Sequence, residues 1–302
     1  MEQDQDAAVT VCIVNWNSGD DLLACTRALA AHTRIGLDLI VVDNGSEDAS
    51  LERFVAAGVR GRVFRLGRNL GFAGGVNAAL AQVSTPFALL LNPDARVHEG
   101  CVEALLARAQ QQPRAGAVGA GLRYPDGRLQ PAARNFPTPL THFVEAFRLY
   151  HVLRHVPGIG RRYLLLSRQD RARTVDWVVG ACMLLRMDAV RAVGSFDESF
   201  FMYAEEADWC LRATRAGWEI WLEPAAVATH TLGGSSRHNE LPLMVESYRS
   251  MYRFYAKHYP AAWGARARLV TRAAMVARAC ALPFRGRRSR ARLQAYRDIA
   301  KL

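Results

Sequence analysis

Val9-Thr-Val-Cys-Ile-Val-Asn-Trp-Asn-Ser-Gly19 is an apolar, β-branched run that stops at a polar loop, and a helical pattern through Leu22, Leu23 and Leu29 follows. This strand, loop and helix unit returns twice. Asp38-Leu-Ile-Val-Val42 ends at Asp43-Asn-Gly-Ser46 and precedes a helix over 49–57, and Gly61-Arg-Val-Phe-Arg-Leu66 leads into another loop and helix. Strands apolar on both faces, alternating with helices, predict an α/β fold with a mainly parallel sheet flanked by helices. Such sheets collect their polar residues and ligands at the carboxyl ends of the strands. A fourth strand over 87–91 ends at Asn92-Pro-Asp94 and a helix follows over 99–111, so Asp94 falls on the same sheet edge as Asp43 and the loop after Val14.

Further along, residues 123–175 carry Pro125, Pro131, Pro137 and Pro139 and a basic region around Arg161, Arg162 and Arg168, and they read as a substrate-facing insertion. Strands are expected over 175–186, 217–222 and 226–230, a short helix over 188–193 and a long one over 241–257. The flexible Gly233-Gly-Ser-Ser236 follows the last strand.

The chain has 302 residues, half of them hydrophobic, enough for a sizeable core. Its net charge of +11 is uneven: from Arg249 onward fourteen Arg or Lys face the single acid Asp298, which leaves the preceding residues at about −2. Six cysteines at 12, 25, 101, 182, 210 and 280 form no CxxC pair and read as reduced packing residues of a cytoplasmic protein. The polar, acidic start is unlike a secretory signal, and no apolar run is long enough to span a bilayer.

Three places carry chemistry. Phe201-Met-Tyr-Ala-Glu-Glu-Ala-Asp-Trp-Cys-Leu-Arg212 sets Glu205, Glu206 and Asp208 among apolar residues, where carboxylates need partners or a task. A capped helix start, with Arg212 four residues after Asp208, accounts for that segment equally well. Asn92-Pro-Asp94 is good turn chemistry and also places Asp94 where a cation could be held, with His230 at another strand end as a partner for Mg²⁺ or Mn²⁺ and phosphate oxygens. Gly67-Arg-Asn-Leu-Gly-Phe-Ala-Gly-Gly-Val-Asn77 matches neither the P-loop nor the dinucleotide pattern. Its glycines serve close packing or offer backbone N–H groups to a nucleotide or sugar.

Taken together, Ile13-Val-Asn-Trp-Asn-Ser18, Val41-Val-Asp-Asn-Gly-Ser46, Asn69-Leu-Gly-Phe-Ala-Gly-Gly-Val-Asn77, Leu90-Leu-Asn-Pro-Asp94, Trp177-Val-Val-Gly-Ala-Cys182, Gly194-Ser-Phe-Asp197 and Phe200-Phe-Met-Tyr-Ala-Glu-Glu-Ala-Asp208 occur in the order seen in glycosyltransferase family 2. Over about residues 9–236 the chain resembles the bacterial rhamnosyltransferase-like branch of that family. The resemblance implies a GT-A fold, a nucleotide-sugar donor, a divalent cation (Mg²⁺ or Mn²⁺) and inversion at the anomeric carbon. It implies that Asn15, Trp16, Asn17 and Asp43 hold the nucleoside and that Asn69 and Gly71 line the donor site. Asn92-Pro-Asp94 takes the family's DxD position, with Asn92 in place of the first Asp; Asp94 and His230 would bind the metal, and Trp177, Gly180 and Ala181 would border the acceptor. Glu206 falls at the general-base position, where Asp is common, with Glu205 and Asp208 as substitutes.

The expected domains are 1–240, a GT-A catalytic domain, and 241–302, a basic amphipathic helical region. In the latter, Trp263, Leu269, Val270, Met275 and Val276 alternate with Arg266, Arg268, Arg272 and Arg278, and Arg285, Arg287, Arg288, Arg290 and Arg292 follow. A solvated helical hairpin and an anchor on an anionic membrane surface both fit this pattern. The expected activity is transfer of L-rhamnose from dTDP-rhamnose to a lipid-linked glycan for cell-envelope polysaccharide, by a peripheral enzyme at the inner face of the plasma membrane. A UDP-N-acetylhexosamine or UDP-galactofuranose donor, or a non-catalytic nucleotide-sugar or glycan-binding module, stands as the alternative. No nucleic-acid motif accompanies the arginines, so no specific nucleic-acid partner is expected. Homodimer pairing through the C-terminal helices stays open.

Overall fold

The computed structural model describes residues 8–147, 149, 153, 169–231, 240–281 and 287–302. Within it β1 (Val9–Asn15), β2 (Leu37–Asp43), β3 (Arg62–Arg65) and β4 (Phe87–Leu91) run parallel in the spatial order β3-β2-β1-β4. Helices α1 (Asp21–His32), α2 (Ser50–Ala56) and α3 (Gly71–Leu80) make the crossovers. Val11, Ile13, Ile40, Val42 and Leu89 are fully buried, as strands covered on both faces require. Burial of each such side chain contributes about 1.5–3 kcal/mol.

Beyond β4 the sheet becomes mixed. β11 (Cys182–Arg186) runs antiparallel between β4 and β6 (Ala115–Arg123), and β6 pairs in parallel with β12 (Glu219–His230), which pairs antiparallel with β5 (Ala95–Val97). The two strands expected over 217–230 are one, broken by a register shift between Glu223 and Val227 where Pro224 cannot donate to the ladder. The single strand expected over 175–186 is instead two: β10 (Trp177–Val178) pairs with β8 (Ala133–Arg134), and Gly180 and Ala181 connect it to β11. Short strands β7 (Leu129–Gln130) and β9 (Arg173–Thr174) border β6 and β12.

Three more helices complete the sheet's flanks: α4 (Cys101–Gln111), α6 (Met187–Val193) and α7 (Glu205–Arg215). α5 (Pro139–Ala146) is started by a capping box between Thr138 and Thr141, with Pro139 at the first position. His142 Nε2 lies 2.8 Å from Thr271 Oγ1 and Arg278 donates to the Ala146 carbonyl at 2.6 Å, so this part of the expected substrate-facing insertion is a buttress for the C-terminal helices. Arg161, Arg162, Arg168, Gly233–Ser236 and Arg285 lie outside the described residues. The chain ends in α8 (Glu240–His258), α9 (Ala261–Cys280) and α10 (Arg287–Lys301), and among the described residues no helix is long and apolar enough to cross a membrane.

Candidate active site

The carboxyl ends of β1 and β2 are locked together. Asn15 is fully buried, and its amide donates to Asp43 Oδ1 at 3.0 Å and to the Ser46 and Ser50 hydroxyls at 3.1 and 2.9 Å, while Ser18 donates to its Oδ1. Its expected ligand contact is therefore corrected: the side chain is fully engaged within the protein and organises the loop. Asn17, held at a left-handed φ of 46°, accepts from the Glu47 and Asp48 N–H groups at 2.8 and 3.3 Å and staples the two loops. Between them Trp16 is half-buried, and Asp43 also receives the Ser46 N–H at 3.3 Å.

Asn44 joins this end to the glycine-rich loop, a role the sequence reading missed. The buried side chain donates to Asn69 Oδ1 at 3.1 Å and to the Gly71 carbonyl at 2.9 Å, and accepts from the Leu70 N–H at 2.8 Å. The signal was present in Asp43-Asn-Gly-Ser46, where a second amide follows the strand-ending acid. Gly71 itself is needed twice over: its φ is +76°, and a Cβ there would lie 2.2 Å from the Phe201 carbonyl oxygen, which receives the Phe72 N–H at 2.9 Å. The glycine-rich loop thus touches the acidic segment directly.

That segment is strained and tied down. Tyr203 and Ala204 both adopt left-handed φ values, 69° and 68°, a conformation that costs about 1–3 kcal/mol per non-glycine residue and persists only where its surroundings enforce it. Here the Ser250 hydroxyl of α8 donates to the Met202 carbonyl at 2.8 Å. The turn delivers Glu206, on the first turn of α7, to the Gly180 N–H, 3.0 Å from Oε1; a Cβ at Gly180 would lie 2.8 Å from that oxygen, so a side chain there would push the carboxyl aside. Burial pushes the Glu206 carboxyl above the usual range, opposed by backbone N–H groups and Arg134. Arg134 in turn stands over the Trp177 ring, 5.8 Å from its centre, and the indole donates to the Asn135 carbonyl at 2.9 Å. Glu205 is buried with Oε2 lacking a hydrogen-bond partner, and desolvation, then the Glu206 charge, push it well above the usual range.

Asp208 has a different task. Fully buried, it receives Arg212 Nε at 2.9 Å and lies 2.7 Å from both Lys257 Nζ and His258 Nε2. A carboxylate so enclosed cannot reach a substrate proton, which corrects its candidacy as a substitute base.

From Gly180 the edge continues to the third cluster. The Asn92 N–H donates to the Ala181 carbonyl at 3.0 Å, and beyond the Pro93 turn the Asp94 carboxylate lies 3.3 Å from His230 Nε2. Asn92 Nδ2 is 3.4 Å from the same ring nitrogen. Among the described residues no three His, Cys, Asp or Glu side chains gather as a complete metal shell. One carboxylate and one imidazole, from different strand ends, fit a divalent ion whose remaining positions go to diphosphate oxygens. Asn15, Asn17, Asp43, Asn69, Gly71, Asn92, Asp94, Trp177, Gly180, Ala181, Glu206 and His230 consequently belong to one linked edge.

The family model for Glycosyl transferase family 2 matches residues 10–194. The N-acetylglucosaminyl-diphospho-decaprenol L-rhamnosyltransferase of Mycobacterium tuberculosis (strain ATCC 25618 / H37Rv) is 30% identical over 279 residues, covering 89% of this chain and 90% of that protein. Rhamnosyltransferase WbbL of Escherichia coli (strain K12) is 29% identical over 130 residues, 42% of this chain and 44% of that protein. Among solved structures, the mannosyltransferase PcManGT from Pyrobaculum calidifontis, in complex with GDP-Man and Mn²⁺, superposes with a TM-score of 0.60 at 13% identity, over 97% of this chain and 84% of that one, a likeness of fold.

Proposed function

The chain belongs to glycosyl transferase family 2, and from that membership we propose that it transfers L-rhamnose from dTDP-L-rhamnose, with inversion, to a polyprenyl-diphosphate-linked sugar in cell-envelope polysaccharide synthesis. The observation that carries the reading is the continuity of one sheet edge. It runs from the Asn44-braced donor loop through Phe201 and Glu206 to Gly180, Ala181 and the Asp94 and His230 pair.

In this reading Asp43, Trp16 and the 69–71 loop hold the nucleoside and donor, and Glu206 takes the proton of the acceptor hydroxyl as that oxygen attacks the anomeric carbon. A burial-raised carboxyl is a stronger base than an ordinary glutamate, and the Gly180 N–H fixes its orientation. Asp94 and His230 would hold a divalent cation, Mg²⁺ or Mn²⁺, which when bound neutralises the charge of the departing diphosphate. Trp177, Gly180 and Ala181 border the acceptor. Residues 1–240 form the catalytic domain. Residues 241–302 carry the enzyme on the cytoplasmic face of the plasma membrane, a role supported by Leu269 and Val276, 70% and 61% exposed on α9 beside Arg266, Arg268 and Arg272.

The test is transfer to polyprenyl-diphosphate-linked N-acetylglucosamine, the acceptor in the mycobacterial relative's name, with dTDP-, UDP- and GDP-sugars and with Mg²⁺, Mn²⁺ or EDTA. Rhamnosyl product with dTDP-rhamnose, abolished by EDTA, is the expected result. Product with UDP-N-acetylhexosamine or UDP-galactofuranose instead would replace the donor. Tight nucleotide-sugar binding without transfer to any acceptor would make the protein a binding module.

A further inference from the structure

We propose that Gln130 is a positioning residue that fixes the His230 ring in the one neutral tautomer able to bind a cation, an inference that rests on the cation site proposed above. His230 and Gln130 are 5% and 4% exposed, at the end of β12 and on the short strand β7. Gln130 Oε1 lies 3.1 Å from His230 Nδ1. An amide oxygen only accepts, so Nδ1 carries the hydrogen, and a neutral imidazole then presents its lone pair at Nε2.

The opposite side of the ring agrees. Asn92 Nδ2, a donor, faces Nε2 at 3.4 Å, and an N–H there would meet donor with donor. The two amides therefore favour the same tautomer, against the Asp94 carboxylate, which would accept from an Nε2–H. The consequence of that tautomer is that two lone-pair atoms, His230 Nε2 and Asp94 Oδ1, face each other at 3.3 Å, an arrangement that a cation relieves. Hydrogen bonds from a ring's other nitrogen are the usual means by which proteins orient a metal-binding histidine.

Gln130 is also an expensive residue for its place. Its Nε2 is buried with no hydrogen-bond partner, a desolvation cost that a methionine of similar shape would avoid. Space filling alone does not account for an amide there, whereas an oxygen required at Nδ1 does. Its backbone is set by pairing with Leu122 of β6, which places the side chain independently of Asp94 and Asn92.

The test uses the full-length protein with ¹⁵N-labelled histidine at about two pH units above the ordinary histidine value. Long-range ¹H–¹⁵N spectra, with His230 identified by its loss in His230→Asn, should show Nδ1–H and a bare Nε2. Gln130→Met should shift the ring towards the Nε2–H form, and Gln130→Glu, which keeps an oxygen at the position, should restore it. Mn²⁺ affinity in the presence of dTDP should fall about 10- to 100-fold in Gln130→Met and recover in Gln130→Glu, with metal-free dTDP affinity unchanged and the melting temperature of Gln130→Met no lower than that of the wild type. An Nε2–H ring in the wild type, or a ring unchanged by Gln130→Met, would overturn the proposal. Absence of Mn²⁺ binding to the wild type would remove the cation reading instead, while the ring signals still decide the part played by Gln130.

Discussion

Glu205 and Glu206 are adjacent carboxyls that their surroundings treat differently. Both are pushed upward by burial, but Glu206 receives the Gly180 N–H whereas Glu205 keeps an oxygen with no partner. In a coupled pair the negative charge settles where hydrogen bonds stabilise it, so Glu206 ionises first and Glu205 retains its proton. Environments that separate two neighbouring carboxyls in this way can divide their roles, and the proposed assignment makes Glu206 the base. Glu206→Gln should lower kcat by about 10²–10⁴ while leaving dTDP-rhamnose affinity unchanged, and Glu205→Gln should stay within about tenfold of wild type. The active form of Glu206 is the charged one and its pKa is raised, so turnover should fall as pH drops through a midpoint above the ordinary glutamate value. A pH–rate profile flat down to that ordinary value would rule out either raised carboxyl as the base, and a larger loss in Glu205→Gln than in Glu206→Gln would move the base to Glu205.

At the scale of elements, α8 acts as a clamp on the acidic segment. Lys257 bridges Asp197 and Asp208, His258 reaches Asp208, and Ser250 holds the Met202 carbonyl next to the strained Tyr203 and Ala204. Removing a buried partner strands the remaining charges, so Asp208→Asn should cost about 3 kcal/mol, the lower end for buried pairs because Arg212 and Lys257 keep some access to water. Urea unfolding checks this, and the contrast matters: Asp208→Asn should lose stability, whereas Glu206→Gln should lose turnover at wild-type stability. Much of this architecture was legible in advance. The runs at Val9 and Leu39 are apolar on both faces and admit one reading, and the acidic edge residues follow from where those strands stop. β6 was not legible, because Ala-Gly-Ala-Val-Gly-Ala-Gly has Val118 as its single β-branched residue among alanines and glycines; its glycines serve contacts, as at Gly119, where a Cβ would lie 2.6 Å from Val178. Gln130 and the clamp were hidden for another reason. Their partners are 100 residues away for Gln130 and His230, and 50 for Asp208 and His258, and no local pattern encodes such pairs.

For the whole molecule, the uneven charge acquires a direction. The buried side of α9 rests on α5 and α10 through Thr271, Ala274 and Met275, and its outward side carries Leu269 and Val276, seven residues apart and so on one face, with Arg266, Arg268 and Arg272 exposed near them. Apolar side chains flanked by arginines suit the boundary of an anionic bilayer, where each arginine adds about 1 kcal/mol and each large aliphatic about 1.5–3 kcal/mol on full insertion. Because both side chains already face water, Leu269→Ser with Val276→Ser should leave folding intact, unlike truncation after Tyr259, which would remove α9 and uncover Tyr252 and Tyr255 of α8. Sedimentation with phosphatidylglycerol vesicles should show the double variant binding at least about tenfold more weakly than wild type, with an unchanged melting temperature. Transfer to a short, water-soluble acceptor should be unaffected, while transfer to the polyprenyl-linked acceptor in vesicles should fall in proportion to the lost binding. Equal partitioning of both proteins would leave α9 and α10 as a solvated hairpin, with the basic charge serving something other than the membrane.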